Sequence, residues 1–208
     1  MILQENHKAE PADTIKEINK ILETSMAEPI LEGYKALGGL ADPASLHSTS
    51  FDLQTSRFTL QLDEALHFNR YRFITLKTSI YDNLTGIDVD KYRMYCRKYE
   101  KECLKSGSSK PFWTNKLAEQ HFGDPEDFGD LSGNGAPGWK LLAFQELLKD
   151  AYAAHNQVKL MRIPIWEELM FNKQLQKLKD ILLSPGEREA EIILNLIDRK
   201  LIRLHHLD

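Results

Sequence analysis

The sequence predicts an α/β fold, a small mixed sheet flanked by helices, with further helices near both ends of the chain. Three observations predict it. Apolar residues recur at helical spacing up to about residue 37, then alternate with polar ones from 51 to 63, and return to helical spacing from Val89. A strong amphipathic pattern at 139–154 leads into the short apolar run 158–166, as a helix feeding a strand does. The 208 residues are 42% hydrophobic and 28% charged, an ordinary mix for one globular domain with extensions. That excludes disordered, collagen-like and disulfide-stapled classes. The single domain 1–208 divides into N-terminal helices at 13–39, an α/β core at 50–166 and C-terminal helices at 167–208.

Taken in order, Asp13 is placed to cap a helix carrying Ile15, Ile18, Ile21, Leu22 and Met26. Pro29 marks a break; 30–37 is a second short helix or a kinked continuation, stopped by Gly38-Gly39. A polar loop follows at 40–49. Phe51, Leu53, Phe58, Leu60 and Leu62 then alternate with Asp52, Gln54, Thr59, Gln61 and Asp63, a β-hairpin turning at 54–56 with one apolar and one polar face. Residues 68–81 read as a helix ending in a short strand. Asp88 caps the next helix, whose stripe is Val89, Tyr92, Cys96, Tyr99 and Cys103. After a break at 105–111 and a short helix at 112–121, residues 122–138 hold five Gly, two Pro and four acids, a long mobile loop. The helix at 139–154 precedes a strand at 158–166, with Pro164 placing its end at a sheet edge. A helix at 167–183 follows. Ser184-Pro185-Gly186-Glu187 forms a capping box that opens the last helix. There is no internal repeat.

The net charge is −4, which argues against a nucleic-acid coat protein, but its distribution is uneven. Residues 91–116 hold eight basic and two acidic side chains, whereas 117–131 hold five acids and no Lys or Arg. Two solvated faces are the plain reading; a ligand-steering face is the functional one. Cys96 and Cys103, seven residues apart on one helix, are separated by ~10.5 Å at ~1.5 Å per residue, beyond the ~7 Å reach of a disulfide. Reduced core thiols, no apolar run of ~20 residues and no secretory pattern lead to the expectation of a cytoplasmic protein without a membrane partner.

One constellation has the composition of a reactive site. Asp52, Gln61 and Asp63 share the polar face of the hairpin, with Glu64 and His67 immediately after. Two carboxylates, an amide oxygen and an imidazole suit a hard divalent cation such as Mg²⁺, which can activate water at a phosphodiester. The structural alternative is a wet strand face whose acids pair with Arg70 and Arg72.

The run FDLQTSRFTLQLDEALHFNRYRFITLK (51–77) resembles the core of the PD-(D/E)XK, restriction-endonuclease-like superfamily, in its very-short-patch-repair-like branch. Asp52 matches the first metal-binding acid, Asp63 the last position of the (D/E)-x-(K/D) element and His67 the following histidine; KLMRIPIWEEL (159–169) resembles the closing strand. Gln61 stands where the family usually has its second acid, and no lysine occupies the place of Asp63. The resemblance implies a helix-borne acid, for which Glu17, Glu28 and Glu32 are candidates. It implies a Mg²⁺-dependent nuclease, or a degenerate nucleic-acid-binding descendant, with Asp52 and Asp63 on metal, Gln61 positioning water or metal and His67 as acid/base. Arg70, Arg72, Lys98, Lys101 and Lys105 would hold the DNA backbone. The alternative is a non-enzymatic interaction module of the same fold, an inhibitor or assembly subunit, docking a protein partner through the acidic loop 123–138.

Overall fold

A computed structural model describes residues 19–46, 50–82, 84, 86–107, 110–183 and 186–205. The N-terminal helix expected from Asp13 falls largely outside them. Its end is a single 3₁₀ turn, Lys20–Glu23, that buries Ile21. Helix α1 spans Ala27–Ala36 and buries Ile30, Gly33 and Tyr34. Pro29 opens this helix rather than breaking it: in the first turn a missing N–H costs no intrahelical bond. The stop at Gly38-Gly39 is as expected. Gly38 has φ +82°, and the N–H groups of Gly38 and Gly39 donate back to the carbonyls of Lys35 and Tyr34 at 2.9 and 3.0 Å.

The sheet is mixed. Strand β1, Leu53–Gln54, pairs antiparallel with β2, Thr59–Asp63, and β2 pairs parallel with β3, Leu160–Pro164, from Thr59↔Leu160 to Asp63↔Pro164. β3 lies at an edge, which admits Pro164. Between β2 and β3 run α2 (Arg70–Thr75), α3 (Val89–Lys98), α4 (Glu100–Ser106), α5 (Lys110–Trp113), α6 (Lys116–Phe122) and the long α7 (Pro137–His155). Side chains start these helices: Asn69, Asp88 and Asn115 accept from N–H groups in the first turns of α2, α3 and α6.

Residues 68–81 contain no strand; α2 is followed by a 3₁₀ helix, Ser79–Asp82. The basic helix is interrupted at Tyr99, where ψ is 18°, although its apolar stripe continues through buried Cys103. The expected helix at 167–183 is instead a second hairpin, β4 (Glu168–Phe171) and β5 (Gln174–Lys177), then a short α8 (Leu178–Leu182). Asn172 and Lys173 turn that hairpin with φ of 49° and 63°, the left-handed pair that matches strand twist in a two-residue loop. The last helix, α9, spans Glu187–His205; Ser184 and Pro185 of the expected capping box lie outside the described residues.

The largest departure concerns the hairpin's polar face. It is not wet. Thr59, Gln61 and Asp63 are 3%, 3% and 1% exposed, and this face lies against α7. The apolar face carries Leu53, Leu60 and Leu62 onto a separate cluster of Met161, Ile163, Leu169, Leu196 and Leu201. Helices therefore cover both faces. The larger apolar cluster, around Tyr34, Phe68, Tyr95, Trp139 and Phe144, lies on the α7 side. Burial of each large apolar side chain contributes ~1.5–3 kcal/mol. That contribution offsets the cost of placing charges between sheet and helix.

Candidate functional site

Those charges form one connected cluster. The sheet supplies Asp63 from β2 and Arg162 from β3, whose neighbours in register are Pro164 and Gln61 respectively. Helix α7 supplies Glu146, Lys149 and Asp150, at the i, i+3 and i+4 spacing that puts all three on one face. Each is 2% exposed or less. Arg162 is the centre. Its Nη1 donates to Asp63 Oδ1 at 2.6 Å, its Nε to Asp150 Oδ1 at 2.6 Å and its Nη2 to Glu146 Oε2 at 2.7 Å. One guanidinium thus serves three carboxylates, which its planar fork of five N–H donors permits.

The remaining oxygens are also engaged. Tyr92 donates to Asp63 Oδ2 at 2.6 Å, and Tyr81 and Arg72 donate to Asp150 Oδ2, each at 2.6 Å. Lys149 donates to Glu146 Oε1 at 2.9 Å and to Gln61 Oε1 at 3.1 Å. Gln61 in turn donates through Nε2 to Asp52 Oδ2 at 2.8 Å, an oxygen that also accepts from the Leu62 N–H at 2.7 Å. Asp63, Glu146 and Asp150 are balanced in charge by Arg72, Lys149 and Arg162. His67 stands at the margin, its Nε2 3.8 Å from Glu146 Oε1, where a cavity of about 440 Å³ opens beside it.

The electrostatics follow this geometry. Burial opposes ionisation of Glu146, but the Arg162 charge, the nearby His67 imidazole and the Lys149 charge hold its carboxyl well below the usual range. Burial likewise opposes the charged imidazole of His67, and the Glu146 carboxylate 3.8 Å away reverses this and raises it. Burial pushes the Tyr81 and Tyr92 phenols well above their ordinary values, so both are O–H donors. Asp63, His67 and Glu146 each bring a ligand atom within 4.8 Å of the others, close enough to hold a metal ion. Asp52 is not in that group.

The structure gathers some of the sequence-derived residues and separates others. Asp52, Gln61, Asp63 and His67 all belong to the cluster, Asp52 reaching Asp63 by a side-chain route through Gln61, Lys149, Glu146 and Arg162. An acid borne on a helix does reach the cluster, Glu146 of α7, through Arg162. Glu28 and Glu32 are exposed on α1, and Glu17 lies outside the described residues. Arg72 was expected on the phosphate backbone; it is 1% exposed and held by Asp150, Tyr81 and Thr75, so no polymer can reach it. Arg70 is exposed but bound by two bonds of 2.9 Å to Glu100. Lys98, Lys101 and Lys105 are exposed. The acidic loop is internally fixed: Glu126 accepts from the Trp113 indole through its carbonyl at 2.9 Å and from the Asn134 N–H through its side chain at 3.0 Å. Lys140 donates to the Asn134 side chain at 2.6 Å.

Glu146, Lys149 and Asp150 are the residues that sequence reasoning missed. Their signal is three charges, ELLKD, in the middle of a long apolar helix; the corresponding signal for Arg162 is a lone guanidinium in the apolar run KLMRIPIW. Among the described residues no helix is long and apolar enough to cross a membrane. No curated protein and no solved structure matches the chain. Residues 32–184 match a family of unknown function, DUF7255, and the chain belongs to that family.

Proposed function

We propose that this member of DUF7255 is a nucleic-acid-binding protein on a nuclease-like core, a PD-(D/E)XK descendant in which the Arg162 guanidinium stands in place of the metal. One observation carries the reading. Asp63 and Glu146, the acids on which a divalent ion would depend, each already give an oxygen to Arg162 at 2.6 and 2.7 Å. The donor set does not fit Mg²⁺ as it stands. Such an ion keeps an octahedral shell of free carboxylate oxygens and water, whereas the second oxygen of each acid is taken by Tyr92 or Lys149. Gln61 brings no charge, and its amide is engaged at both ends. Phosphodiester hydrolysis by metal-activated water therefore has no centre, and binding is what remains.

The surface supports the binding half. Lys98, Lys101 and Lys105 are exposed on α3 and α4, and phosphate contacts from such side chains make affinity fall steeply with salt. The test is fluorescence anisotropy of labelled oligonucleotides across a salt series, with the three lysines reversed to Glu in one variant. Salt-dependent binding lost in that variant, without cleavage in Mg²⁺ or Mn²⁺, is the expected result. Absence of binding at low salt overturns the reading, as does metal-dependent cleavage that Asp63→Asn abolishes.

A second reading is favoured by a separate observation. The fixed loop exposes Asp124, Asp127 and Asp130, which flank Phe128 in sequence, and Phe128 itself is 51% exposed. An exposed apolar anchor on an acidic loop suits a basic protein partner, which makes the chain an inhibitor or assembly subunit. Capture of a stoichiometric partner that Phe128→Ala releases would support it.

A further inference from the structure

A groove of about 670 Å³ lies between α2 and α3. It is lined by four cations, Lys77, Arg93, Arg97 and Lys98, against one acid, Asp90, and by two apolar side chains, Phe73 and Met94. Asp90 is spent on Arg93, at 3.2 Å, and a second bond of 2.8 Å from Arg93 to the Leu76 carbonyl fixes that guanidinium. The groove's remaining charge is cationic. Met94 is 47% exposed in it. Arg97 lies over the Phe73 ring with its guanidinium carbon 4.4 Å from the centroid, and the Lys77 ammonium lies 4.8 Å from the same ring.

This combination is more specific than a basic patch. A patch that only tracks phosphates needs cations alone, and an exposed methionine among them is an uncompensated apolar surface. A guanidinium backed by an aromatic ring is a flat, pre-placed platform, and bases that are free to leave the helix stack on such planes. In a duplex the bases are paired and stacked on one another and cannot enter.

We infer that the groove between α2 and α3 seats an unpaired nucleotide of a single-stranded nucleic acid, its base against Met94 and the Arg97–Phe73 pair and its phosphates on Lys77 and Lys98. The inference rests on the nucleic-acid reading above and narrows it to single strands. The base seat accepts any base, since every base has a π-face, so sequence preference is weak.

The experiment compares one labelled twelve-nucleotide sequence as a single strand and as a duplex, by anisotropy at one salt concentration. The wild-type chain is set beside Met94→Ala, Arg97→Ala and Lys98→Ala, each folded by circular dichroism. Single strand binds about tenfold or more tighter than duplex, the scale of one stacked base. Met94→Ala lowers single-strand affinity about fivefold and leaves duplex affinity within about twofold, because it removes apolar contact with the base and no charge. Arg97→Ala weakens single strand more than duplex, and Lys98→Ala weakens both alike. Equal affinity for the two forms, or a Met94→Ala effect that is equal on both, overturns this inference and leaves salt-dependent nucleic-acid binding standing. No binding of either form at low salt overturns both.

Discussion

Replacing Arg162 with methionine keeps much of the side-chain volume and removes the one group that touches Asp63, Glu146 and Asp150 together. Its side chain has 0% exposure, and those of the three acids have 1% or less, so water does not take over the lost contacts. Breaking a buried pair by removing one partner costs ~3–5 kcal/mol. Lys149 and Arg72 still neutralise part of Glu146 and Asp150. Asp63 keeps only a neutral donor, Tyr92. We therefore expect the lower half of the range or its middle, about 3–4 kcal/mol at pH 7, a large part of a total stability that is ~5–15 kcal/mol in most domains. With a urea m-value of ~2–3 kcal/mol/M, the midpoint falls by about 1.5 M. Adding Asp63→Asn to Arg162→Met removes the least compensated charge and recovers at least half the loss. A loss below ~1 kcal/mol, or no recovery in the double variant, would mean the cluster is screened by water and would refute the argument that Arg162 neutralises buried acids.

The raised His67 value sets a pH dependence with a definite sign. The imidazolium's contribution is fully present below the ordinary histidine value of ~6.5 and is lost as pH rises through the folded value; urea unfolding of wild type and His67→Gln between pH 5.5 and 9 should converge at the alkaline end. Glu146 works the other way: its depressed value gives stability that is present above the ordinary carboxylate range and is lost as pH falls through the folded value, and Glu146→Gln should blunt acid unfolding. Burial pushes the Cys96 and Cys103 thiols up to about 12, so both should resist a disulfide reagent at pH 8 in native protein and react at once in denaturant; fast native labelling would contradict their burial. Gly86→Ala should cost ~2–4 kcal/mol in urea unfolding, because its Cβ would strike the Leu160 carbonyl oxygen of the edge strand; a neutral result would show that this approach relaxes freely.

The α/β class, the presence of the hairpin and the long helix were legible because each follows from hydrophobic period; the hairpin's turn lies at 55–58 rather than 54–56, since Gln54 pairs with Thr59. The capping of α3 by Asp88 and the edge position of Pro164 were legible for similar local reasons. The burial of the polar strand face was not. Alternation states that two faces differ, and without α9 in view it cannot state that Leu60 and Leu62 meet a second apolar layer while Gln61 and Asp63 face α7. The hairpin β4–β5 was hidden because Trp166, Leu169, Met170 and Ile181 also fit a helical stripe; only the left-handed pair Asn172-Lys173 decides it. At the site, Asp52, Gln61, Asp63 and His67 were found from one short stretch, since a strand and its turn are close in sequence. Arg162, Glu146, Lys149 and Asp150 come from chain segments 83–110 residues downstream of Asp52–Asp63, and their role depends on a tertiary packing that no spacing rule conveys. Charges embedded in apolar runs were the available signal.

The central claim, that Arg162 occupies the position a metal would need, is tested most directly by calorimetric titration of Mn²⁺ into the full chain, with Asp63→Asn alongside. No site-specific heat is expected in either protein at millimolar metal. One-site binding by the wild-type chain, abolished by Asp63→Asn, would show that the ion displaces the guanidinium and would contradict the claim.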